Sequence, residues 1–597
     1  MNIAIIRLTL AVALVLVLTA TGLWAAGTED QPAAAAEKEM VRDPSTGKMI
    51  VAPQYGGTIT LAMFQMPSSN TDAYIGAGHV AGIIAGLVTE KLGIPNWAID
   101  RNVNALTSGV LPLKHINGNL AASWETPDDT TIVFKIRQGI HFHDKAPANG
   151  RELVADDLAY NFQRMFALGR FAGNDRAGQA WGTMALPIES VEAPDETTLV
   201  ITLSQPDQGA LNWLLNCCHM YIYPPEVIEE YGSATDWRNL SGTGPFRMTD
   251  LTEGTSVTYE KNPNYWRNDE KFPQNRLPYA DKVVALMMEE EATRLAALRT
   301  GRIDYMGFMG PNTFVSSVDT AASVKKTNPE IEQWSFAIRS LNSFAMNVQK
   351  APFDDIRVRQ AMQMALDLET IHNSYHQGYG EWEPMGLSGP AWKGYNNPYE
   401  TWPAEVKKTY SYDPEGAIEL LAEAGYPDGF TTTLNHDQAQ YDTGYRELVA
   451  GYWSKIGVEV EVIGMDTAQM NNLIQERSAE GLIDFVGIGA DYGSLGQNFF
   501  ASGTYNPGGI SDSAFDSMVE AAVGATNEEE QKRLAKEADM YAIRQQWIIW
   551  GPRTPNVQLG QPWLVGYNGE IGLGTCSWLL PWSRLWIDQD LKEEMGY

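Results

Sequence analysis

The stretch FVGIGADYGSLGQNFF, residues 485–500, places a carboxylate and a phenol at the end of an apolar run. Phe485 to Ala490 predict a short buried strand, which Asp491 and Tyr492 follow directly. Asp favours the ends of strands because its side chain caps turns, so Asp491 could be purely structural. A carboxylate shielded by apolar neighbours also gains more from a cation than it would in water, so binding a cationic ligand group is the alternative.

A metal site is the second chemistry to consider. In His141-Phe142-His143-Asp144, both imidazoles would project from the same face of an extended segment. Strand alternation alone gives the same spacing, and the sequence identifies no third ligand. We therefore predict neither a metal nor another cofactor.

Catalytic motifs are absent from the sequence. It contains no GxSxG, HExxH, Walker-type glycine loop or CxxC. The carboxylate pairs Asp128-Asp129, Asp156-Asp157 and Asp354-Asp355 lie beside turns or at predicted helix starts, where capping and solvation explain them. These features argue against an enzyme, and a secreted hydrolase remains only the least favoured alternative.

The elements that must position any site are strands mixed with helices along the whole chain. A strand opens the folded part after Tyr55-Gly56-Gly57, and further strands are predicted at 131–136, 198–203, 256–260, 282–287 and 458–463. Helical periodicity predicts helices at 155–167, 291–298, 358–366, 414–424, 445–455 and 527–543. The mixture indicates an α/β fold with mixed sheets, and 597 residues predict two or more lobes.

Charge and composition limit the partners. The formal net charge is −31, with 74 acidic and 43 basic residues, so a nucleic-acid surface is not expected. Of the three cysteines, Cys217 and Cys218 are neighbours, and either could pair with Cys576 or stay a thiol.

The N-terminus has the pattern of an export signal. Arg7 precedes an apolar run from Leu8 to about Leu18, and small residues follow, so cleavage is expected near residues 22–27. An uncleaved membrane anchor is the alternative. Residues 27–54 are polar and rich in Ala, which predicts a flexible linker after a signal peptide at 1–26.

Five stretches, in order, resemble the extracellular solute-binding proteins of ABC importers, in the dipeptide/oligopeptide-binding family (family 5). They are LAASWETPDDTTIVFKIRQGIHFHD (120–144), GRELVADDLAYNFQRM (150–165), GTGPFRMTDLTEGTSVTYEKNPNYW (242–266), AMNVQKAPFDDIRVRQAMQMALD (345–367) and YDPEGAIELLAEAGYPDGF (412–430).

The resemblance implies a two-lobed periplasmic-binding-protein fold (class II) with an additional domain on lobe I. The expected divisions are 55–87, 240–335 and 549–597 for domain I, 88–239 for the extra domain II, and 336–548 for domain III, which is lobe II. Two crossing segments would join the lobes and enclose the ligand between them, as in hinge closure.

The resemblance also implies ligand residues. Asp491, followed by Tyr492, matches the place where peptide-binding members hold the ligand's α-ammonium, although Ile488 stands where many members carry Trp, and the following loop lacks the frequent Asp-Pro. Arg446 resembles the arginine that binds the ligand carboxylate, for which a planar guanidinium is suited.

Aromatic and loop residues complete the predicted site. Trp382 and Trp392 lie in a Gly/Pro-rich stretch, where they could stack on a ligand or simply pack. Phe64 and Gln65 follow the first strand, where the family's first loop reaches the cleft.

We therefore predict an exported, non-enzymatic and monomeric receptor, periplasmic or extracellular, that binds a peptide or similar small solute and delivers it to an ABC permease. An oligosaccharide ligand is the alternative, motivated by the 18 tryptophans. The sequence does not identify the ligand or the permease.

Overall fold

The computed structural model describes residues 38–63, 70–75, 84–106, 111–173, 186–207, 209–217, 219–307, 317–337, 342–389, 394–438, 442–485, 499, 503, 506–525, 527–553, 555–570 and 580–597. The strands in this part of the chain are β1 (Met40–Arg42), β2 (Met49–Val51), β3 (Thr58–Met63), β4 (Gly93–Pro95), β5 (Ile116–Gly118), β6 (Ala121–Asp128), β7 (Thr131–Ile136), β8 (Ile188–Asp195), β9 (Thr198–Leu203), β10 (Phe246–Thr252), β11 (Ser256–Lys261), β12 (Lys282–Met287), β13 (Tyr305–Met306), β14 (Glu332–Ala337), β15 (Ser343–Met346), β16 (Phe430–Asp437), β17 (Val458–Met465), β18 (Leu482–Phe485), β19 (Ile548–Trp550), β20 (Pro555–Gly560), β21 (Leu564–Val565) and β22 (Trp586–Ile587).

The α-helices of the same residues are α1 (Ala155–Phe166), α2 (Ala210–Asn216), α3 (Pro225–Tyr231), α4 (Glu291–Arg299), α5 (Val318–Thr327), α6 (Ile356–Met364), α7 (Leu368–Ser374), α8 (Ala404–Thr409), α9 (Pro414–Glu423), α10 (Thr443–Ser454), α11 (Thr467–Glu476), α12 (Ser513–Val523), α13 (Glu528–Gln545) and α14 (Gln589–Glu594). The strands predicted at 131–136, 198–203, 256–260, 282–287 and 458–463 and the six predicted helices are confirmed, with ends that differ by a few residues. Of the strand predicted at 485–490, residues 486–490 lie outside the described residues, and the described strand there is Leu482–Phe485. No described helix is both long and apolar enough to span a bilayer.

The first sheet, within the described residues, has the strand order β10-β11-β12-β3-β13-β20-β14. Strand β3 is parallel to β12 and β13, whereas β20 is antiparallel to both of its neighbours. Tyr305 lies in the buried cluster on one face of this sheet, and Val557 and Leu559 lie in the cluster on the other. The sheet is therefore covered on both faces, as its near-continuous apolar strands require.

The second sheet has the order β17-β16-β18-β15-β19 in the described part of the chain. Strand β16 is parallel to β17 and β18, and β15 is antiparallel to β18 and β19. A third sheet, β6-β7-β9-β8, is antiparallel throughout its described strands. Its Phe134 belongs to the same buried cluster as Ile59 of β3, so the third sheet shares a core with the first.

Strand direction brings two sheet edges together. In the first sheet, β3 and β13 end at Met63 and Met306, on the edge where the end of β14, Ala337, pairs with Pro555. We call this the first edge. Sites in such sheets lie outside the carboxyl ends of parallel strands, so this is where loops that reach a ligand must begin.

The second edge is the corresponding end of the second sheet. Strands β16 and β18 end there at Asp437 and Phe485, and Ser343 pairs with both Phe485 and Trp550. The chain passes between the two edges from Ala337 to Ser343 and again from Trp550 to Pro555. A segment of five or six residues spans at most about 20 Å, so the two edges lie near each other where these segments join them, and we call the space between them the crevice.

The expected linker is partly ordered. Strands β1 and β2 form a hairpin whose turn contains Asp43, Pro44 and Gly47, the last at φ 71°. Lys271 Nζ lies 3.0 Å from Asp43 Oδ2, and both side chains are buried. Met40–Tyr597 forms one unit of contacts, which begins with this hairpin. The polar composition of this stretch predicted a linker. It could not indicate the buried partner of Asp43, because Lys271 lies 228 residues away in the sequence.

Candidate functional site

Four of the predicted ligand residues come after strands that end at the first or the second edge. Phe64 and Gln65 follow Met63 of the first edge, and Asp491 and Tyr492 follow Phe485 of the second edge. These four residues and Trp392 lie outside the described residues, so their roles stay predictions. The same holds for the signal peptide, and for Cys218 and Cys576, whereas Cys217 is buried.

Arg446 is described, and it lies behind the second edge. It belongs to α10, which starts after β16 with Asp442 as its cap. Its Nη2 lies 2.9 Å from Asp484 Oδ1, its Nε lies 3.1 Å from the same oxygen, and its Nη1 donates to the Asp442 carbonyl at 3.3 Å. The side chain is 2% exposed. Arg446 therefore already holds a carboxylate supplied by the protein, and its role toward a ligand stays a prediction.

Asp484 is a site residue that the sequence analysis did not single out. It stands on β18, one residue before the strand ends, and is 3% exposed. Burial raises the pKa of Asp484 to about 6, although the Arg446 charge and its hydrogen bonds lower it. The available signal was a single carboxylate between apolar residues in the run Leu482-Ile483-Asp484-Phe485.

Trp382 is half-buried and packs against other side chains of the protein. Its ring packs edge-on against Tyr399 with centroids 5.6 Å apart, and it borders the buried cluster around Phe344. The neighbouring Glu381 forms a backbone bridge with Arg553, whose N–H donates to the Glu381 carbonyl at 2.7 Å. Trp382 therefore lies beside the chain segment that joins the two sheets.

That segment, Gly551 to Arg553, is tied to the first passage between the sheets. Gly551 N donates to the Asn342 carbonyl at 2.8 Å, and Asn342 Nδ2 donates to His376 Nε2 at 2.9 Å. A Cβ at Gly551 would collide with the Asn342 carbonyl and the Tyr445 hydroxyl, so only glycine allows this approach. Burial, with a smaller contribution from His372, lowers the pKa of His376 to about 4, so the imidazole is neutral at pH 7.

A second buried carboxylate organises the loop that follows Trp382. Asp539 on α13 accepts hydrogen bonds from Leu387 N (2.6 Å), Ser388 N (3.3 Å), Asn397 N (3.2 Å) and Asn397 Nδ2 (2.9 Å). Burial raises the pKa of Asp539 to about 6. The Asp539 side chain thus forms hydrogen bonds with both described parts of the stretch 386–397.

The two histidines considered as metal ligands form hydrogen bonds with different backbone carbonyls. His141 Nδ1 lies 2.9 Å from the Gly150 carbonyl, and His143 Nε2 lies 3.0 Å from the Gly244 carbonyl. His143 is buried and His141 is exposed. Among the described residues, no group of three or more His, Cys, Asp or Glu side chains is placed to hold a metal ion.

Comparison with known proteins gives consistent matches. The sequence profile of bacterial extracellular solute-binding proteins, family 5 (middle region), matches residues 115–511. The chain is 30% identical over 532 residues to heme-binding protein A of Haemophilus influenzae, covering 85% of this chain and 92% of that protein. It is 28% identical over 490 residues to the glutathione-binding protein GsiB of Salmonella typhimurium, covering 79% and 86% of the two chains.

Solved structures match over nearly their whole length. The periplasmic binding protein DppA from Helicobacter pylori, in complex with the peptide STSA, aligns with a TM-score of 0.66 and 22% identity, covering 90% of this chain and 99% of that chain. A putative peptide-binding protein, AppA, from Clostridium difficile aligns with a TM-score of 0.70 and 18% identity, covering 89% and 100%. At these identities the matches establish the fold, which is the two-lobed periplasmic-binding-protein fold.

Proposed function

Because the chain belongs to the bacterial extracellular solute-binding proteins of family 5, we propose that it captures a short peptide or a similar amino-acid-based solute in the crevice and delivers it to an ABC permease. The crevice between the two edges is the observation that carries this proposal. Strands of both sheets end there, and the sheets are joined by short segments that can act as a hinge. A ligand held between two such edges contacts both lobes and thereby favours closure.

The proposed ligand class follows from the relatives. The relatives include a glutathione-binding protein and proteins solved with the peptide STSA and the dipeptide Met-Leu. Asp491 and Tyr492 would hold the ligand's ammonium, with Phe64, Gln65 and Trp392 lining the loops around it.

The tryptophans do not favour the oligosaccharide alternative. None of the described tryptophans is exposed, and most are buried, including Trp97, Trp453 and Trp563. A sugar-binding surface needs aromatic faces that a ligand can reach. We infer that the indole content of the described chain serves mainly the cores.

The relatives compared above are binding proteins, which supports a non-enzymatic receptor that acts outside the cytoplasm. Thermal-shift measurements with Met-Leu, STSA, reduced glutathione, haem and maltotriose test the ligand class, because a ligand that binds only the native state raises the melting temperature. A peptide among these is expected to raise it most. Stabilisation by maltotriose without any effect of the peptides would contradict the proposal.

A further inference from the structure

Arg553 is a buried cation on the segment that joins the two sheets. It lies between Trp550 of the second edge and Pro555 of the first edge, and its side chain is 9% exposed. The segment therefore joins the ends of the strands that border the crevice, and Arg553 is a guanidinium that it carries.

The partners of Arg553 do not use all of its donors. Its Nη2 forms an ion pair with Glu381 Oε2, and its backbone forms a bridge with the same residue. The Glu381 side chain is 51% exposed, so water competes for this carboxylate. Arg553 Nε is buried and has no hydrogen-bond partner among the described residues.

An unused buried donor is costly. Leaving a buried polar group without a partner costs about 1–3 kcal/mol, and more when the group is charged, so such groups are rare in native proteins and call for an explanation. Tyr445 on α10, whose hydroxyl lies against Gly551, is another buried donor beside this segment without a hydrogen-bond partner in the described part of the chain. Both donors are available to a ligand that accepts hydrogen bonds.

The two candidate arginines differ in this respect. Arg446 directs Nε and Nη2 at the buried carboxylate of Asp484. Arg553 has a half-exposed carboxylate on one side and a buried, unused N–H on the other. We propose that Arg553 receives the carboxylate of the ligand, with Glu381 as its counter-ion before the ligand binds; this inference rests on the proposed function.

The chemistry of the group supports this assignment. A guanidinium presents N–H donors in a rigid fork that matches a carboxylate, and it is the cation best suited to buried ion pairs. Burial lowers the pKa of Arg553 to about 10, so the side chain is still charged at neutral pH. A desolvated cation of this kind favours an anionic ligand over a neutral one. Glu381 competes with the ligand for the same charge.

Calorimetric titration of four proteins tests the inference: wild type, Arg553→Gln, Glu381→Gln and Arg544→Gln. The probe is whichever of Met-Leu, STSA and reduced glutathione binds the wild type most tightly, together with its C-terminal amide. Arg544→Gln is the control, because it removes a guanidinium from an exposed ion pair with Glu405. Circular dichroism and melting temperatures establish that each variant is folded.

We expect Arg553→Gln to weaken binding of the free acid by at least about tenfold while changing the amide much less, so that the preference for the acid disappears. Glu381→Gln should tighten binding of the acid, and Arg544→Gln should change nothing. If Arg553→Gln is folded and keeps the wild-type preference for the acid, the inference is wrong while the proposed function stands. If the wild type binds none of the three peptides, the proposed function is wrong and the inference falls with it.

Discussion

Arg446 Nη2 lies 2.9 Å from Asp484 Oδ1, and both side chains are almost completely shielded from water. The pair joins α10 to β18 one residue before that strand ends, directly behind the second edge. The rings of Tyr445 and Phe344 lie 5.3 and 5.9 Å from the guanidinium carbon and exclude water from it. Two desolvated charges that satisfy each other hold α10 against β18, and removing one of them leaves the other uncompensated.

Asp484→Ala should therefore lower the free energy of unfolding by about 3–5 kcal/mol, because a buried guanidinium loses its carboxylate. Urea denaturation followed by circular dichroism measures the change. The double variant Arg446→Met with Asp484→Leu is the matched control, and it should be markedly more stable than Asp484→Ala. A double variant that is less stable than the single one would contradict this account of the pair.

Asp539 should make stability depend on pH with an unusual sign. Burial raises the pKa of Asp539 to about 6 in the folded protein, above its unfolded value of 3.8. The folded state then binds more protons between pH 4 and 6, so this residue's contribution to stability falls as the pH rises through that interval, by about 3 kcal/mol at most. The difference in unfolding free energy between wild type and Asp539→Asn, measured at pH 4 and pH 7, should decrease toward pH 7. An equal difference at both pH values would show that Asp539 does not titrate in this way.

His376 should act in the opposite direction. Burial lowers the pKa of His376 to about 4, and its Nε2 accepts the Asn342 amide, so the folded state holds the neutral ring. The unfolded state binds the extra proton as the pH falls below 6.5, and the stabilising contribution is lost toward pH 4, by about 3 kcal/mol at most. Against a His376→Gln variant, the stability advantage of the wild type should shrink over this interval. An advantage that grows on acidification would be the opposite of the expected result.

The N-terminal hairpin should be needed for full stability. A variant that starts at Gln54 loses Asp43, the carboxylate paired with Lys271, and the packing of Val41 and Ile50 against the core. Its free energy of unfolding should therefore be lower than that of a variant that starts at Lys38, by up to about 3–5 kcal/mol. Differential scanning calorimetry of the two proteins measures this. Lys271→Met in the shorter variant should recover part of the loss, because it removes the uncompensated charge. Identical melting temperatures for both starting points would mean that residues 40–51 are a linker after all.

Local sequence patterns predicted the elements but not the pairs that join distant segments. The helix Ala155–Phe166 and the strand Thr198–Leu203 carry regular apolar periodicity, so their positions followed from the sequence. The pairs Asp43–Lys271 and Glu381–Arg553 join residues far apart in the chain, and no local pattern marks either partner. The hairpin was therefore expected to be a linker, and Arg553 was not considered.

The predicted ligand residues stay predictions. A resemblance indicated Arg446 and Asp491, and of these two the structure describes Arg446. The resemblance did not indicate that Arg446 is matched by Asp484, because a single Asp in an apolar strand gives no information about its partner. Whether a charged residue can bind a ligand depends on whether another residue of the protein already pairs with it. Only the folded chain determines these pairs.

Mass spectrometry of the small molecules released by acid from natively purified full-length protein tests the central claim most directly. The account predicts a short peptide, or a conjugate of amino acids, that carries a free carboxylate and is enriched over the Arg553→Gln variant purified in the same way. Oligosaccharides as the enriched molecules, with no peptide or amino-acid conjugate above the background of an unrelated exported protein, would contradict it.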